Sequence, residues 1–224
     1  MIIECNNLVK TYQQDGQDLR AVDNASFSVE EGAFLAILGH SGSGKTTLLS
    51  LIGGLACPDQ GSILTNGVDC WQQSEAQLAT MRNQTIGFIF QFGSLIPTLT
   101  AIENVLLPLS WAGAASNPAE NIPLARELLD QVGLADKENA FPAHLSGGQQ
   151  RRVAIARAFI NRPSIILADE PTGNLNSKQG AEIMNLFKQL NEEGVTIIQV
   201  THSEKNATYG SRIIHLLDGR STNN

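Results

Sequence analysis

The feature that most narrows the fold is one short stretch, Gly39-His40-Ser41-Gly42-Ser43-Gly44-Lys45-Thr46, in the pattern GxxxxGK[ST]. An apolar run at 33–38 precedes it, of the length and character of a strand buried on both faces. A helix read over 45–52 follows and stops at Gly53-Gly54. Strand, glycine-rich turn and helix in that order is the context the motif requires. Glycine permits dihedrals that turn successive N–H groups into one concavity, a nest for an anion. The helix opening near Gly44 adds the positive end of its dipole. Lys45 then brings a point charge to the β- and γ-phosphates of a nucleotide, and Thr46 offers a hydroxyl to Mg²⁺. Thr47 completes the phosphate-binding set.

The remaining pattern fits an α/β protein built around that turn. Residues 2–12 and 19–29 read as strands separated by the turn cluster Gln13-Gln14-Asp15-Gly16. Short strands are expected across 61–73 around Asn66-Gly67, a hairpin turn pair. Ser74-x-x-Gln77, Thr100-x-x-Glu103 and Ser146-x-x-Gln149 are capping-box signatures. They open helices to about 83, through Ile102, Val105 and Leu106, and to about 161. A further helix covers 125–132, and 114–121 reads as a loop. Residues 86–90, 165–168, 195–200 and 212–217 are the other strands. Ile183, Leu186, Phe187 and Leu190 mark one buried helix face. Alternating strands and helices imply a parallel sheet with helices packed on it. The stretch 91–160 breaks that rhythm. The expected organisation is one domain over 1–224: an α/β nucleotide-binding core from 1–90 and 161–219, with an antiparallel β region at its N-terminus, and an inserted helical subdomain at 91–160. Nothing regulatory is expected beyond about 219.

Two further elements carry chemistry. The apolar run Ile165-Ile166-Leu167-Ala168 ends in Asp169-Glu170. The C-terminal end of a parallel strand is where open α/β folds bind ligands. Asp169 there can hold the Mg²⁺ that Thr46 touches. Pro171 turns the chain out of the strand, so that both acids can face one site, and Glu170 is placed to deprotonate a water. In Leu145-Ser146-Gly147-Gly148-Gln149, Ser146 is a helix N-cap and the glycines leave bare N–H groups at a positive helix end. That is a second phosphate-binding device in one chain.

This pentapeptide is the signature of ATP-binding cassette (ABC) proteins, and the chain resembles that family over about 2–219. The resemblance implies ATP as ligand and two copies of the chain head to tail. In that arrangement Ser146, Gly147, Gly148 and Gln149 of one copy close over ATP held by the P-loop of the other. Tyr12 matches the adenine-stacking position, although alone it reads as a β-sheet tyrosine. Gln91 matches the glutamine that reaches Mg²⁺ and the attacking water. His202 matches the histidine contacting the γ-phosphate, although alone it reads as a surface or satisfied histidine. Glu170, His202 and Gln91 are thus the expected catalytic set, and Thr46, Gln91 and Asp169 the expected Mg²⁺ set. Residues 91–105 and 168–175 look like the lipoprotein-releasing and macrolide-exporter branch, whose members drive integral membrane permease subunits. Ending at 224 with no membrane segment, the chain is expected to be a separate, peripheral subunit on the cytoplasmic face of the inner (plasma) membrane. The segment 92–102, with Phe92, Leu95, Ile96, Leu99 and Ile102, is the expected permease dock.

Two positions depart from that branch. Asn176 stands where it usually has Asp, which keeps size and hydrogen bonding and loses charge. Arg151 stands where it often has a third Gln. Rival readings fit less well. A P-loop kinase or GTPase would lack the signature, and the NKxD motif of GTPases is absent. A repair or translation ABC protein usually carries a coiled-coil insertion or two cassettes. A net charge of −7 argues against a nucleic-acid partner. Three widely spaced cysteines, Cys5, Cys57 and Cys70, suit neither a disulfide framework nor a zinc site.

Overall fold

The alternating N-terminal segments pair as antiparallel strands, β1 (Ile3–Gln14) and β2 (Gln17–Val29). The rest of the computed structural model follows in the order β3 (Phe34–Leu38), α1 (Lys45–Ile52), β4 (Gln60–Thr65), β5 (Val68–Asp69), α2 (Glu75–Thr85), β6 (Ile86–Ile89), α3 (Ala101–Leu106) and α4 (Ile122–Gln131). Then come α5 (Gly147–Phe159), β7 (Ile165–Asp169), α6 (Ser177–Glu192), β8 (Thr196–Thr201), α7 (Glu204–Ala207), β9 (Arg212–Leu217) and β10 (Arg220–Asn223). All residues are described except 15, 92–94, 112–117, 174 and 224. The expectations that fall on Asp15, on Phe92 and on residues 114–117 lie outside the described residues.

Two sheets form. One is antiparallel, in the order β2-β1-β4-β5; the other runs β10-β9-β3-β8-β7-β6. In the second, β9, β3, β8, β7 and β6 are parallel, and β10 is antiparallel to β9. Every residue of β7 is buried, as the continuous apolar run requires. Its side chains alternate between two cores. Ile165 and Leu167 join α1 and the antiparallel sheet, while Ile166 and Ala168 join the helices on the other face. That second core runs unbroken from the sheet through α6 into α3, α4 and α5. Among the described residues no helix is long and apolar enough to cross a membrane.

All three capping boxes are formed, at Ser74–Gln77, Thr100–Glu103 and Ser146–Gln149. Asn66 and Gly67 both have positive φ, as a type I′ hairpin turn needs. Three expectations are corrected. The helix expected over 125–132 starts at Ile122, because Pro123 is tolerated in the first helical turn, where its missing N–H has no partner to lose. Residues 118–121, expected as loop, form a 3₁₀ turn leading into it. The chain past 219 is a strand: Asp218 and Gly219, both with positive φ, turn β9 back into β10.

Candidate functional site

The turn after β3 owes its path to glycine. Gly44 has φ 97°, and a Cβ there would lie 2.0 Å from the Ala21 carbonyl oxygen. No other residue fits that approach of the P-loop to β2. Gly39 faces the Leu216 carbonyl, and the Gly219 N–H donates to the Ser43 carbonyl at 3.1 Å. The loop is therefore braced from behind by β2 and by the β9–β10 turn. Lys45 opens α1 with its ammonium turned into the loop, donating to the carbonyls of Gly39 at 2.8 Å and His40 at 2.6 Å. Burial pushes its pKa down, and the carboxylates of Glu170 and Asp169 work against that.

β7 delivers the two acids. Asp169 accepts from the Thr46 hydroxyl at 2.9 Å. Burial raises its pKa, opposed by the Thr46 bond and by Lys45 and assisted by the nearby Glu170 charge. A hydroxyl and a carboxylate side by side are hard oxygen donors. Mg²⁺ is commonly held by one or two carboxylates together with phosphates and water, so the pair fits that ion. The turn comes one residue earlier than Pro171 suggests: Glu170 itself has φ 45°. Such a strained non-glycine backbone costs on the order of 1–3 kcal/mol and persists only where the surroundings hold it. Here the Glu170 N–H donates to the Val200 carbonyl at 3.0 Å. Its carboxylate takes the Thr201 hydroxyl at 3.0 Å and the His202 N–H at 2.8 Å, with His202 Nδ1 at 2.7 Å.

These groups line one open cavity of about 700 Å³. His40, Ser41, Gly42, Gly44, Lys45, Thr46 and Thr47 form its floor, with Asp169, Glu170, His202 and Gln91 on one wall and Tyr12 on another. Gly39 and Ser43 stand behind the floor as braces. Tyr12 is 42% exposed, and the Lys10 ammonium lies 5.7 Å from its ring centroid. Sequence reasoning missed Arg20, Ala21, Asp218 and Gly219, which also line the cavity. Asp218-Gly219 is a hairpin turn signal that could have found the last two.

Ser146, Gly147, Gly148 and Gln149 do not line it. They form the start of α5, where the Ser146 hydroxyl accepts from the Gln149 N–H at 3.3 Å and the Gln149 side chain accepts from the Ser146 N–H at 2.8 Å. Gly147 is open, with space around the missing side chain. Gly148 packs against the Gln179 amide. Asn176 caps α6, accepting from the Gln179 N–H at 2.9 Å and donating to the Gln179 side-chain oxygen at 3.0 Å. Aspartate would keep the first bond and lose the second.

A separate, apolar groove of about 500 Å³ is lined by Leu55, Phe88, Phe90, Ile96 and Leu107 among others. Phe88 and Phe90 stack with centroids 5.6 Å apart. The segment expected to dock a partner is divided. Ile96 is 40% exposed, whereas Leu95, expected to be exposed, is only 8% exposed and belongs to the core with Ala101 and Val105.

A family model described as ABC transporter matches residues 22–173. An uncharacterised ABC transporter ATP-binding protein of Thermotoga maritima is 45% identical over 98% of this chain and 93% of its own length. One from Methanocaldococcus jannaschii is 46% identical over 97% of this chain and 96% of its own length. Among solved structures, the ATP-binding cassette MJ0796 as a post-hydrolysis dimer bound to ADP and Pi superposes with a TM-score of 0.91 at 43% identity, covering 98% of this chain and 96% of that one. The structure of cbiO1 from Clostridium perfringens, part of the ABC transporter complex cbiONQ, gives 0.85 at 26% identity, over 99% and 86%.

Proposed function

The chain belongs to the ABC transporter family as its ATP-hydrolysing, ATP-binding subunit, and we propose that it works as a head-to-tail dimer driving separate permease subunits of the export or lipoprotein-release type. The observation that carries this reading is the split between two phosphate-binding devices. One cavity gathers the P-loop, both acids, Gln91 and His202, while Ser146–Gln149 stands outside it. A second chain supplies the missing half. MJ0796 has been solved as a dimer, which supports that arrangement.

In this reading Lys45 exchanges the carbonyls of Gly39 and His40 for the β- and γ-phosphates, and Tyr12 stacks on adenine. Thr46 and Asp169, with Gln91, would hold Mg²⁺, which would supply charge neutralisation at the phosphate oxygens. Glu170 takes a proton from the attacking water as its oxygen bonds to the γ-phosphorus and the bond to the β–γ bridging oxygen breaks. His202, already hydrogen-bonded to Glu170, positions the γ-phosphate. Ser146, Gly147, Gly148 and Gln149 of the second copy offer helix N–H groups to the same phosphate. In this reading residues 91–160 are the helical signature subdomain and 1–90 with 161–219 the nucleotide-binding core. The exposed Phe90 and Ile96 at the apolar groove support a permease dock, which would hold the subunit peripherally at the cytoplasmic face of the inner membrane.

Glu170→Gln tests the chemistry. Losing a general base costs about 10²–10⁴-fold in rate, so steady-state turnover should fall by that much while calorimetric ATP affinity holds and an ATP-bound dimer accumulates on gel filtration. Unchanged turnover would refute the assignment of Glu170.

A further inference from the structure

Arg151 lies five residues past Ser146 on α5, and its side chain is buried, at 4% exposure. Its guanidinium reaches across to the end of β6, where one NH₂ group donates to the Phe90 carbonyl and the other to the Gln91 carbonyl. A guanidinium is a rigid planar fork, so two bonds to adjacent residues fix both the distance and the orientation of that backbone. Burying a cation is costly unless it is compensated. Here the compensation is two carbonyl dipoles and the more distant charge of Asp169. Among the described residues no carboxylate is paired with Arg151 in a salt bridge. A cap alone would not need a charge: a glutamine amide could satisfy one carbonyl and remain neutral.

The two ends of this link differ in role. Gln91 shares the cavity with Glu170 and His202. Arg151 sits on a helix whose first turn is Ser146–Gln149, about 6 Å away along a rod rising ~1.5 Å per residue. A short α-helix moves as a rigid piece, so this side chain passes a displacement of the Gln91 backbone to the signature, alongside the packing of α5 on β6.

We propose that Arg151 is a positioning residue that holds Gln91 in register with the signature helix of its own chain, so that the state of one nucleotide site sets the pose of the Ser146–Gln149 end presented to the other. This rests on the site reading above, with Gln91 and the signature serving two different ATP molecules.

A double-mutant cycle tests it. Arg151→Met keeps the stem and removes both donors; Arg151→Gln keeps one amide donor and serves if the Met variant does not fold. Each is made alone and together with Gln91→Ala, and the readouts are ATP turnover and fluorescent-nucleotide affinity of the whole chain. Because Arg151 acts through Gln91, the single substitution should lower kcat about three- to thirty-fold and leave nucleotide affinity unchanged. In the Gln91→Ala background the same substitution should have little further effect. An equal loss in both backgrounds would make Arg151 a purely structural residue and overturn the proposal, as would full turnover in Arg151→Met. Full turnover in Gln91→Ala alone would overturn the site reading and this inference together; an impaired Gln91→Ala with additive losses overturns only the inference.

Discussion

Gly44 shows how much of the site depends on a missing atom. Its φ of 97° and the Ala21 carbonyl 2.0 Å from a hypothetical Cβ are two separate obstacles to a side chain. Gly42, with φ 81° and open space around it, presents only the first. Gly44→Ala should therefore destabilise the chain by more than Gly42→Ala. Backbone strain of this kind costs about 1–3 kcal/mol, and the overlap adds to it. Urea unfolding midpoints measure the difference, and calorimetry should show ATP binding lost only for Gly44→Ala. Equal midpoints would mean that the loop relaxes away from β2. The GxxxxGK[ST] spacing made this loop legible, because each position has a local backbone reason. Glu170 was legible as an acid beside Asp169 but not as a strained residue. Its φ is imposed by bonds to Val200, Thr201 and His202, on a strand distant in sequence.

Among the elements, the hairpin of β9 and β10 was the least legible. Past Leu217 the chain reads Asp-Gly-Arg-Ser-Thr-Asn-Asn, with no apolar alternation to announce a strand. Beyond its ladder with β9, the hairpin is tied to β2 by an ionic clasp. Asp23 on β2 pairs with Arg20 at 2.9 Å and with Arg220 on β10 at 2.8 Å, and its N–H donates to the Gly219 carbonyl at 2.9 Å. The hydrogen bonds from Arg220 and Arg20 hold the Asp23 carboxyl below the usual carboxylate range. A lowered acid contributes stability that is present above its unfolded pKa, about 3.9, and is lost as pH falls through the folded value. Asp23→Asn should accordingly be less stable than the parent at neutral pH and converge with it in acid. A gap in thermal midpoint that does not narrow below about pH 4 would show that the clasp is not electrostatic. The helices were more legible where the cap carried the signal: all three boxes formed. Where a proline began the helix, at Ile122, the start was displaced, because proline reads as a breaker unless its place in the first turn is known.

At the scale of the molecule, the sequence separated two phosphate-binding helix ends, and the structure keeps them apart. α1 faces the cavity, and the start of α5 does not line it. It could not tell which apolar residues of 95–102 face outward, since that depends on how α3 meets the sheet. Leu95 fills the core and Ile96 does not. Ile96→Glu should spare basal ATP turnover yet abolish co-purification with a permease from detergent extract. Retained co-purification would exclude the groove as the dock. In the proposed dimer a working site takes its P-loop from one chain and its signature from another. Ser146→Arg examines this most directly, by calorimetry and light scattering on the same sample. The monomer should still bind ATP with parental affinity, while ATP-dependent dimerisation and hydrolysis should both be lost. If Ser146→Arg instead abolished ATP binding by the monomer, the signature would belong to the site of its own chain, and the two-chain account would be contradicted.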